Sequence, residues 1–551
     1  MKASRRGFLH GAFSAGVMSP WAAAAASPDA AWSGGRITHL LPTASHDRLQ
    51  LKVIFAEPTA GVALSVGGRR ITGRVTDAGG EGYVFDVPGL APDTRYELSL
   101  WQKQTRLCDD WSLTTLPAPD ATPAHVRLLV YTCAGGHPLM SEGDASAFLP
   151  MAVRQRLLER GLAFEPDVVI AIGDQVYWDQ RTVLEASDAR RRTRGTRLYE
   201  NAGLLDRTLA AAGAGAGAYN EQVLKAVAGQ QITPLYGTRL RSTPCFFVND
   251  DHDYFENDEA TDRFVTLPPY LYQRAFAAFV RDHYLPEFLP ARGNNRRMTG
   301  DTSRGTSAHF GTLRWGRLAE VLMYDCAGHL SLKGNTAGLV PADVEAWLVE
   351  RTQRSDAGQL LHIPSHPMGW SAGKWREWYP DVADNGNAGA QVAQMGVEGR
   401  AFELTTSKPK FMWQSGWWRQ HQRLLAALAG QETRAALMLS GDLHATGHGR
   451  ITQSGEQRFT DNPVNTLIAG PLGTGLYWPS NARGTAPQTA GHLRMEHPAP
   501  IAEKNGFSIV DIEPDNVRVR LFAWRREAAP LTAIDTLNAY HDVRIRREGL
   551  R

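Results

Sequence analysis

The chain has 551 residues, of which 43% are hydrophobic and 21% are charged, and its formal net charge is +2 at pH 7. This length exceeds what one hydrophobic core usually organises, and the composition excludes a disordered chain, so we expect at least two packed units. The near-neutral charge, with no long lysine and arginine run among aromatic residues, indicates no specific nucleic-acid partner.

The first 26 residues resemble a twin-arginine export signal. Arg5 and Arg6 are adjacent, Phe8 and Leu9 follow, and a weakly apolar stretch ends in alanines. The apolar stretch is too short to be a permanent anchor, so no transmembrane segment is expected in the mature protein. The resemblance implies a periplasmic or secreted protein that the twin-arginine export machinery carries already folded, as is usual where a cofactor is loaded before transport.

The next segment, 36–116, alternates apolar and polar residues between turns, which predicts a small all-β sandwich domain. Within it, 87–96 resembles the corner of fibronectin type III-like domains, so Tyr96 is predicted to be structural. The proline-rich stretch 117–123 suits neither strand nor helix and is predicted to be a linker. The remainder, 124–551, is predicted to be the catalytic domain.

Beyond the linker, strand-like runs alternate with helix-like stretches such as 151–161, which predicts a layered α/β core with helices outside. Two interruptions, 210–218 and 369–389, are predicted to be inserted loops. Residues 507–512 and 517–524 predict a hairpin that closes a sheet edge. The other strand-like runs are 126–131, 167–172, 244–248, 318–324, 360–364 and 435–439.

Four cysteines in a chain of this length are not a disulfide framework. Cys245 and Cys326 lie inside apolar runs and are predicted to be buried small hydrophobic residues. Cys108 lies in the first domain. Only Cys133, which directly follows a strand-like run, stands where a metal ligand would.

Metal-binding side chains follow three strand-like runs that lie far apart in the sequence. Asp174 and Tyr177 follow the first, the Asp-Asp-His-Asp cluster 250–253 follows the second, and Asp442 and His444 follow the third. Strands of an open α/β sheet deliver such side chains to one crevice at their carboxyl ends. Because burial of these groups is costly without a cation, the pattern predicts a two-metal hydrolase site.

Each motif alone is weaker evidence for a metal site than the three motifs together. A surface aspartate and a packed tyrosine would explain the first motif, and a solvated loop with exposed acids would explain the second. The functional interpretation makes Asp251 a metal ligand and His252 a general acid or phosphate contact, since three clustered acids repel without added positive charge. His366 follows a further strand-like run, and His448 is a candidate substrate-binding residue.

In this order the motifs resemble the alkaline phosphatase D (PhoD-like) family of metallophosphoesterases, over nearly the whole chain. In that family a strand-end cysteine replaces the first aspartate of the wider superfamily, and Cys133 matches it. The resemblance implies a metallophosphoesterase-type β-sandwich core flanked by helices, with a binuclear or multinuclear centre of Fe³⁺ and Ca²⁺ or another divalent ion. It implies Cys133, Asp174, Tyr177 and His444 at the first cation, and Asp174, Asp251, His366 and Asp442 at the second.

Two positions depart from the family pattern. The family's Asp-Asp-His-Glu ends here in Asp253, a shorter acid that is a candidate catalytic residue together with His252. Relatives often carry an arginine shortly after the aspartate that corresponds to Asp325, and this chain does not. Lys374 and Arg376 are therefore the candidate cations for holding the substrate phosphate.

The resemblance implies an exported phosphoesterase that hydrolyses phosphate mono- or diesters with a metal-activated hydroxide, while His252 protonates or orients the leaving oxygen. The tryptophans near 370–379 and 413–418 either line a pocket for a phospholipid or nucleotide-type diester or pack the insertion onto the core. A rival hypothesis is a non-catalytic exported binding protein on a degenerate scaffold, which the near-complete ligand set disfavours. A hydrolase of phosphorus-free esters and an iron-type redox protein would also use such ligands.

Overall fold

A computed structural model describes residues 32–140, 148–178, 196, 198–206, 208, 216–255, 269, 271–290, 297–331, 336–371, 415–475, 488–490, 492–526 and 528–547. Residues 34–551 form one compact unit. The export-signal segment 1–26 lies outside the described residues, and the domain boundaries at 117–123 stay a prediction. No helix in the described part of the chain is long and apolar enough to span a membrane.

The N-terminal region is all-β, as its alternating sequence predicts. Its strands are β1 (Ile37–Ala44), β2 (Arg48–Phe55), β3 (Val62–Val66), β4 (Arg69–Thr72), β5 (Arg74–Val75), β6 (Gly82–Pro88), β7 (Arg95–Gln102), β8 (Thr105–Arg106) and β9 (Trp111–Thr114). They form two antiparallel sheets, β1-β2-β6-β5 and β4-β3-β7-β8, with β9 also paired to β7. The Tyr96 hydroxyl accepts the Ala91 N–H at 2.8 Å, which fits a structural role for this tyrosine.

A six-stranded sheet forms one half of the larger core. Its strands are β10 (Val126–Thr132), β11 (Val168–Ile172), β12 (Cys245–Val248), β23 (Asn505–Glu513), β24 (Asn516–Trp524) and β25 (Ala539–Ile545), in the order β12-β11-β10-β23-β24-β25. The first three are parallel. The predicted hairpin β23–β24 forms, but the prediction that it closes the sheet edge is wrong. β23 pairs with β10 and β24 with β25, because β23 is buried along almost its whole length and therefore belongs inside the sheet.

An eight-stranded sheet forms the other half. Its strands are β13 (Phe310–Trp315), β14 (Ala319–Tyr324), β15 (Gln359–Pro364), β17 (Leu437–Ser440), β18 (Thr446–Ser454), β19 (Gln457–Arg458), β20 (Val464–Ala469) and β22 (Leu493–Ala502). β14, β15, β17 and β20 are parallel neighbours, and β22 pairs with β18. Two short strands, β16 (Trp370–Ser371) and β21 (Gln488–Thr489), pair with each other.

Helices cover the two large sheets, which confirms the predicted layered α/β core. They are α1 (Met151–Leu162), α2 (Gly217–Leu224), α3 (Gln230–Tyr236), α4 (Leu271–Tyr284), α5 (Ala342–Arg354) and α6 (Ser415–Ala429), with a π-helical turn Lys225–Gly229 and 3₁₀ turns Pro138–Met140, Asp251–Tyr254 and Leu531–Ile534. Leu157 and Leu235 bury the apolar faces of α1 and α3 against the six-stranded sheet. Leu348 and Leu425 do the same for α5 and α6 on the eight-stranded sheet.

The carboxyl ends of the parallel strands from both large sheets meet. A Cβ on Gly441, just after β17, would lie 2.4 Å from the Thr132 hydroxyl at the end of β10 and 2.9 Å from Ile172 at the end of β11. The Asp442 N–H also donates to the Thr132 hydroxyl at 3.3 Å. The loops that follow these strands therefore share one crevice, the place where open α/β sheets bind their ligands.

Because His39 in β1 is buried, we expect it to make stability depend on pH. Its Nε2 lies 2.8 Å from the Tyr284 carbonyl oxygen, and burial lowers the pKa of His39 to about 4. The unfolded chain takes up this proton near pH 6.5, so the contribution to stability is full above that value and is lost as pH falls towards 4. We expect the free energy of unfolding to fall about 2 kcal/mol less between pH 8 and pH 5 in His39→Gln than in the wild type.

Urea denaturation of both proteins at the two pH values measures this difference. Glutamine keeps a donor for the Tyr284 carbonyl, so the variant removes the titrating group with little change in hydrogen bonding. Equal losses of stability in the two proteins would show that His39 does not contribute to the pH dependence.

Candidate metal centre

Three candidate ligands have a left-handed backbone at the ends of their strands. Cys133 has φ 48°, Asp174 has φ 54° and Asp442 has φ 64°. Residues other than glycine rarely adopt this conformation, and the strain is found mostly at functional sites. Gly173 also has a positive φ of 65°, and a Cβ there would lie 2.3 Å from the Asp250 Cβ. Gly173 therefore allows the loops after β11 and β12 to approach closely.

The first group of candidate ligand atoms comes from Cys133, Asp174 and His444, and these atoms all lie within 4.8 Å of one another. The Cys133 Sγ lies 3.3 Å from Asp174 Oδ2. The Tyr177 hydroxyl donates to the same oxygen at 2.9 Å and lies 3.3 Å from His444 Nε2. A thiol, a carboxylate, an imidazole and a phenol therefore converge at one buried point, which is the set that the family resemblance implies for the first cation.

Two further groups share the crevice. Asp174 also lies with Asp251 and His252, and a third group contains Asp250, His366 and Asp442. Asp174 thus belongs to the first two groups and not to the third. Asp250 is not among the ligands that the sequence predicts, although it directly follows β12, and Asp251 is predicted to lie with His366 and Asp442. The structure instead places Asp250 there, with its Oδ1 2.8 Å from His366 Nδ1.

The electrostatics of these side chains fit bound cations. Asp174 Oδ1 and Asp250 Oδ2 are buried and have no hydrogen-bond partner among the described residues. Burial, and next the Asp174 carboxylate, raise the pKa of the Cys133 thiol and of the Tyr177 phenol well above their usual values. Burial also raises the pKa of Asp250 to about 6, against the opposing effect of His366. A cation would satisfy the oxygens and reverse these shifts, because it stabilises every anionic form.

Asp253 is predicted from the sequence to be catalytic, but in the structure its carboxylate accepts hydrogen bonds from backbone N–H groups. Its Oδ1 accepts the N–H groups of Gln175 and Val176 at 2.9 and 3.0 Å, and its Oδ2 accepts those of Asp174 and Asp250, both at 3.0 Å. Burial and the Asp174 charge raise the pKa of Asp253 to about 8. Four donors aimed at two oxygens nevertheless favour the ionised form. We therefore interpret Asp253 as a positioning residue that joins two ligand loops.

Two helix residues that sequence reasoning missed support the same loops. Gln231 in α3 accepts the N–H groups of Gly136 at 2.7 Å and Tyr177 at 2.9 Å through its Oε1. Its Nε2 donates to the Tyr177 carbonyl at 3.0 Å. Arg154 in α1 is fully buried and donates to the Gly135 carbonyl at 2.9 Å. Neither residue has a sequence signal, because a polar residue in a helix is usually exposed.

The structure does not bring every candidate into the centre. His448 lies in β18, its Nε2 is 3.0 Å from Asn465 Oδ1, and its Nδ1 is 3.1 Å from His541 Nε2. None of the three ligand groups contains His448, so its predicted substrate contact has no support from this geometry. Lys374 and Arg376 lie outside the described residues, as does most of the tryptophan-rich segment.

Two large β-sheets, flanking helices and candidate ligand loops at the converging strand ends form a layered α/β fold that is similar to known phosphatase structures. Among solved structures, "Structure of PhoD" matches with a TM-score of 0.54 and 12% identity, over 90% of this chain and 88% of that chain. A purple acid phosphatase from yellow lupin seeds gives a TM-score of 0.49 at 12% identity, over 93% and 74% of the two chains. GAP50 of Plasmodium gives 0.30 at 8% identity, over 78% and 91%. No family model and no curated protein matches the chain.

Proposed function

We propose that this protein is a metal-dependent phosphoesterase of the alkaline phosphatase D type. The observation that carries the proposal is the set of three buried ligand groups, two of which share Asp174, at the carboxyl ends of the parallel strands. The fold similarity to PhoD supports the same class. The substrates are small phosphate mono- or diesters.

The donor atoms suit two different cations. The Cys133 thiol and the Tyr177 phenol, when deprotonated, favour Fe³⁺ in the first group. The second cation would be held by Asp250, Asp442 and His366; the carboxylates suit Ca²⁺ or another hard divalent ion, although the His366 imidazole disfavours calcium. When bound, the cations supply positive charge for the phosphate oxygens and lower the pKa of water enough to provide a nucleophile at neutral pH.

The protein's own groups orient the reaction and move the proton. His252 is buried, and its ring centroid lies 4.4 Å from that of Tyr177. Its backbone N–H donates to Asp251 Oδ1 at 2.9 Å, which fixes the loop that carries the imidazole. His252 is therefore placed to donate a proton to the leaving oxygen of a phosphoester. Asp253 and Gln231 hold the surrounding loops in place through hydrogen bonds to their backbone.

The protein is also proposed to be exported. The twin-arginine-like N-terminus would carry the folded, metal-loaded protein to the periplasm or outside the cell. Metal loading before export suits this site, because all of its donors are buried and come from distant parts of the chain. A fusion of residues 1–35 to a reporter that folds before export tests this part, with Arg5 and Arg6 both changed to lysine as the control.

Hydrolysis of nitrophenyl phosphate and bis-nitrophenyl phosphate by the purified protein tests the function. We expect turnover of at least one substrate, loss of turnover after dialysis against a chelator, and recovery when iron and calcium are returned. The ratio of the two rates indicates the ester class. Full activity after complete metal removal would contradict the proposal, and a metal-loaded protein inactive on both esters would favour the non-catalytic binding protein.

A further inference from the structure

A cluster of an arginine and two histidines adjoins the candidate metal centre and has no role in the proposed reaction. It consists of Arg274 in α4, His309 before β13 and His329 after β14, and all three are partly exposed. The two imidazole rings are nearly perpendicular, with centroids 4.5 Å apart. His309 Nδ1 lies 2.9 Å from both Asp325 Oδ2 and the Tyr254 hydroxyl.

The cluster is connected to the metal centre on two sides. Tyr254 ends the 3₁₀ turn Asp251–Tyr254, which carries His252. On the other side, the Cys326 N–H, next to Asp325, donates to the Ser365 hydroxyl at 2.9 Å. That hydroxyl donates to Asp250 Oδ1 at 2.8 Å. The cluster is therefore linked through neighbouring residues to the loops that carry His252 and Asp250.

Arg274 has a buried donor without a partner and pairs with no described carboxylate. Its Nε is buried without a hydrogen-bond partner, and no described carboxylate lies within ion-pair distance of its guanidinium. By contrast, Arg48, Arg314 and Arg351 each pair with a carboxylate, at 2.5, 3.2 and 2.6 Å. The Nε2 of His329 is also buried without a partner. Partly buried donors of this kind are costly unless a ligand occupies them.

The charged residues near the cluster have hydrogen-bond partners other than Arg274. Asp325 is already satisfied, since it accepts the Ala327 and Gly328 N–H groups, each at 2.8 Å, in addition to His309 and Tyr254. Arg281, the other nearby cation, donates to Asn249 Oδ1 at 2.6 Å and to the Phe247 carbonyl at 3.1 Å.

Burial, and next the proximity of His309, lower the pKa of His329 to about 3, so this ring is neutral at pH 7. Its other electrostatic neighbours are Asp325, Arg274 and Asp343. Asp343 accepts the Thr299 N–H at 2.8 Å, so both nearby carboxylates have partners of their own, and neither is paired with Arg274.

We propose that Arg274, with His309 and His329, forms a subsite for a second phosphate group of the substrate, carried on the alcohol of the ester that is hydrolysed. A guanidinium binds phosphate oxygens through two parallel hydrogen bonds, and imidazole N–H groups add further donors. This inference rests on the proposed phosphoesterase function and narrows its substrate class to bisphosphates.

Kinetics of Arg274→Met and Arg274→Lys test the subsite. Alkanediol bisphosphates of increasing chain length carry the second phosphate, and nitrophenyl phosphate lacks it. We expect Arg274→Met to raise KM for the best bisphosphate by about 10-fold or more, the effect of losing a charge-assisted hydrogen bond, with KM for nitrophenyl phosphate and both kcat values almost unchanged. Arg274→Lys should recover part of the loss. Equal changes in KM for the two substrate types, or none, would overturn the proposal.

A binding measurement separates the subsite from the activity. Alkyl diphosphonates and alkyl monophosphonates cannot be hydrolysed, and calorimetry on the metal-loaded protein gives their relative affinities. The wild type and the control Arg239→Met, a change in an arginine that pairs with Glu159 at 3.1 Å, should prefer the diphosphonate. Arg274→Met should lose that preference, and its persistence would overturn the proposal. If the wild type hydrolyses no ester but shows an Arg274-dependent preference, the proposed activity fails and the subsite stands.

Discussion

Replacing Asp174 by asparagine is expected to lower kcat/KM for phosphoester hydrolysis by at least about 1000-fold, which corresponds to about 4 kcal/mol of transition-state stabilisation. Asp174 is the carboxylate shared by two of the ligand groups, and it also accepts the Tyr177 hydroxyl at 2.9 Å. The amide has one oxygen and no charge, so it cannot bridge two cations as a carboxylate does. Metal content should fall together with activity.

Asp167→Asn is a matched control for this variant. Asp167 lies just before the other end of β11, where its carboxylate accepts the Arg127 N–H at 2.7 Å. We expect it to keep activity within about twofold, since surface substitutions away from a site change little. An Asp174→Asn protein with full metal content and wild-type activity would show that the shared carboxylate is not a ligand.

Replacing Asp253 by alanine is expected to lower the stability of the protein strongly. Asp253→Ala leaves four buried backbone N–H groups without their acceptor, those of Asp174, Gln175, Val176 and Asp250. Each unsatisfied buried donor costs about 1–3 kcal/mol, and water entering the space would relieve part of this cost. We expect the free energy of unfolding to fall by at least about 3 kcal/mol in urea titrations of the metal-free protein.

Asp343→Ala is the control variant for Asp253→Ala. Asp343 is a partly exposed carboxylate that accepts the Thr299 N–H at 2.8 Å and the Thr299 hydroxyl. Its loss should cost about 1 kcal/mol. If Asp253→Ala is no more destabilising than Asp343→Ala, Asp253 does not hold the two loops together.

The buried strands, and the convergence of the candidate ligands that follow them, are the part of the structure that the sequence predicts well. The run 126–131 is β10 (Val126–Thr132), and the run 360–364 is β15 (Gln359–Pro364). Strands buried on both faces leave continuous apolar runs, and parallel strands must end at one edge. Cys133, Asp174 and His444 could therefore be expected to meet, although they are distant in the chain.

What the sequence did not reveal depends on tertiary contacts. The position of β23 between β10 and β24 follows from pairing between segments nearly 400 residues apart. Gln231 and Asp253 act on backbone groups, which every residue carries, so no residue type marks their partners. His448 follows a ligand motif closely, yet regular pairing of β18 with β20 directs it to Asn465.

Metal analysis of the wild type, Cys133→Ala and Cys245→Ala is the most direct test of the central claim. Cys133 and Cys245 are both free, fully buried thiols, but only Cys133 belongs to a ligand group. We predict that the wild type and Cys245→Ala contain iron and a second cation and hydrolyse a phosphoester, and that Cys133→Ala loses the iron and the activity. A metal-free wild type, or equal iron in all three proteins, would contradict the metal centre proposed here.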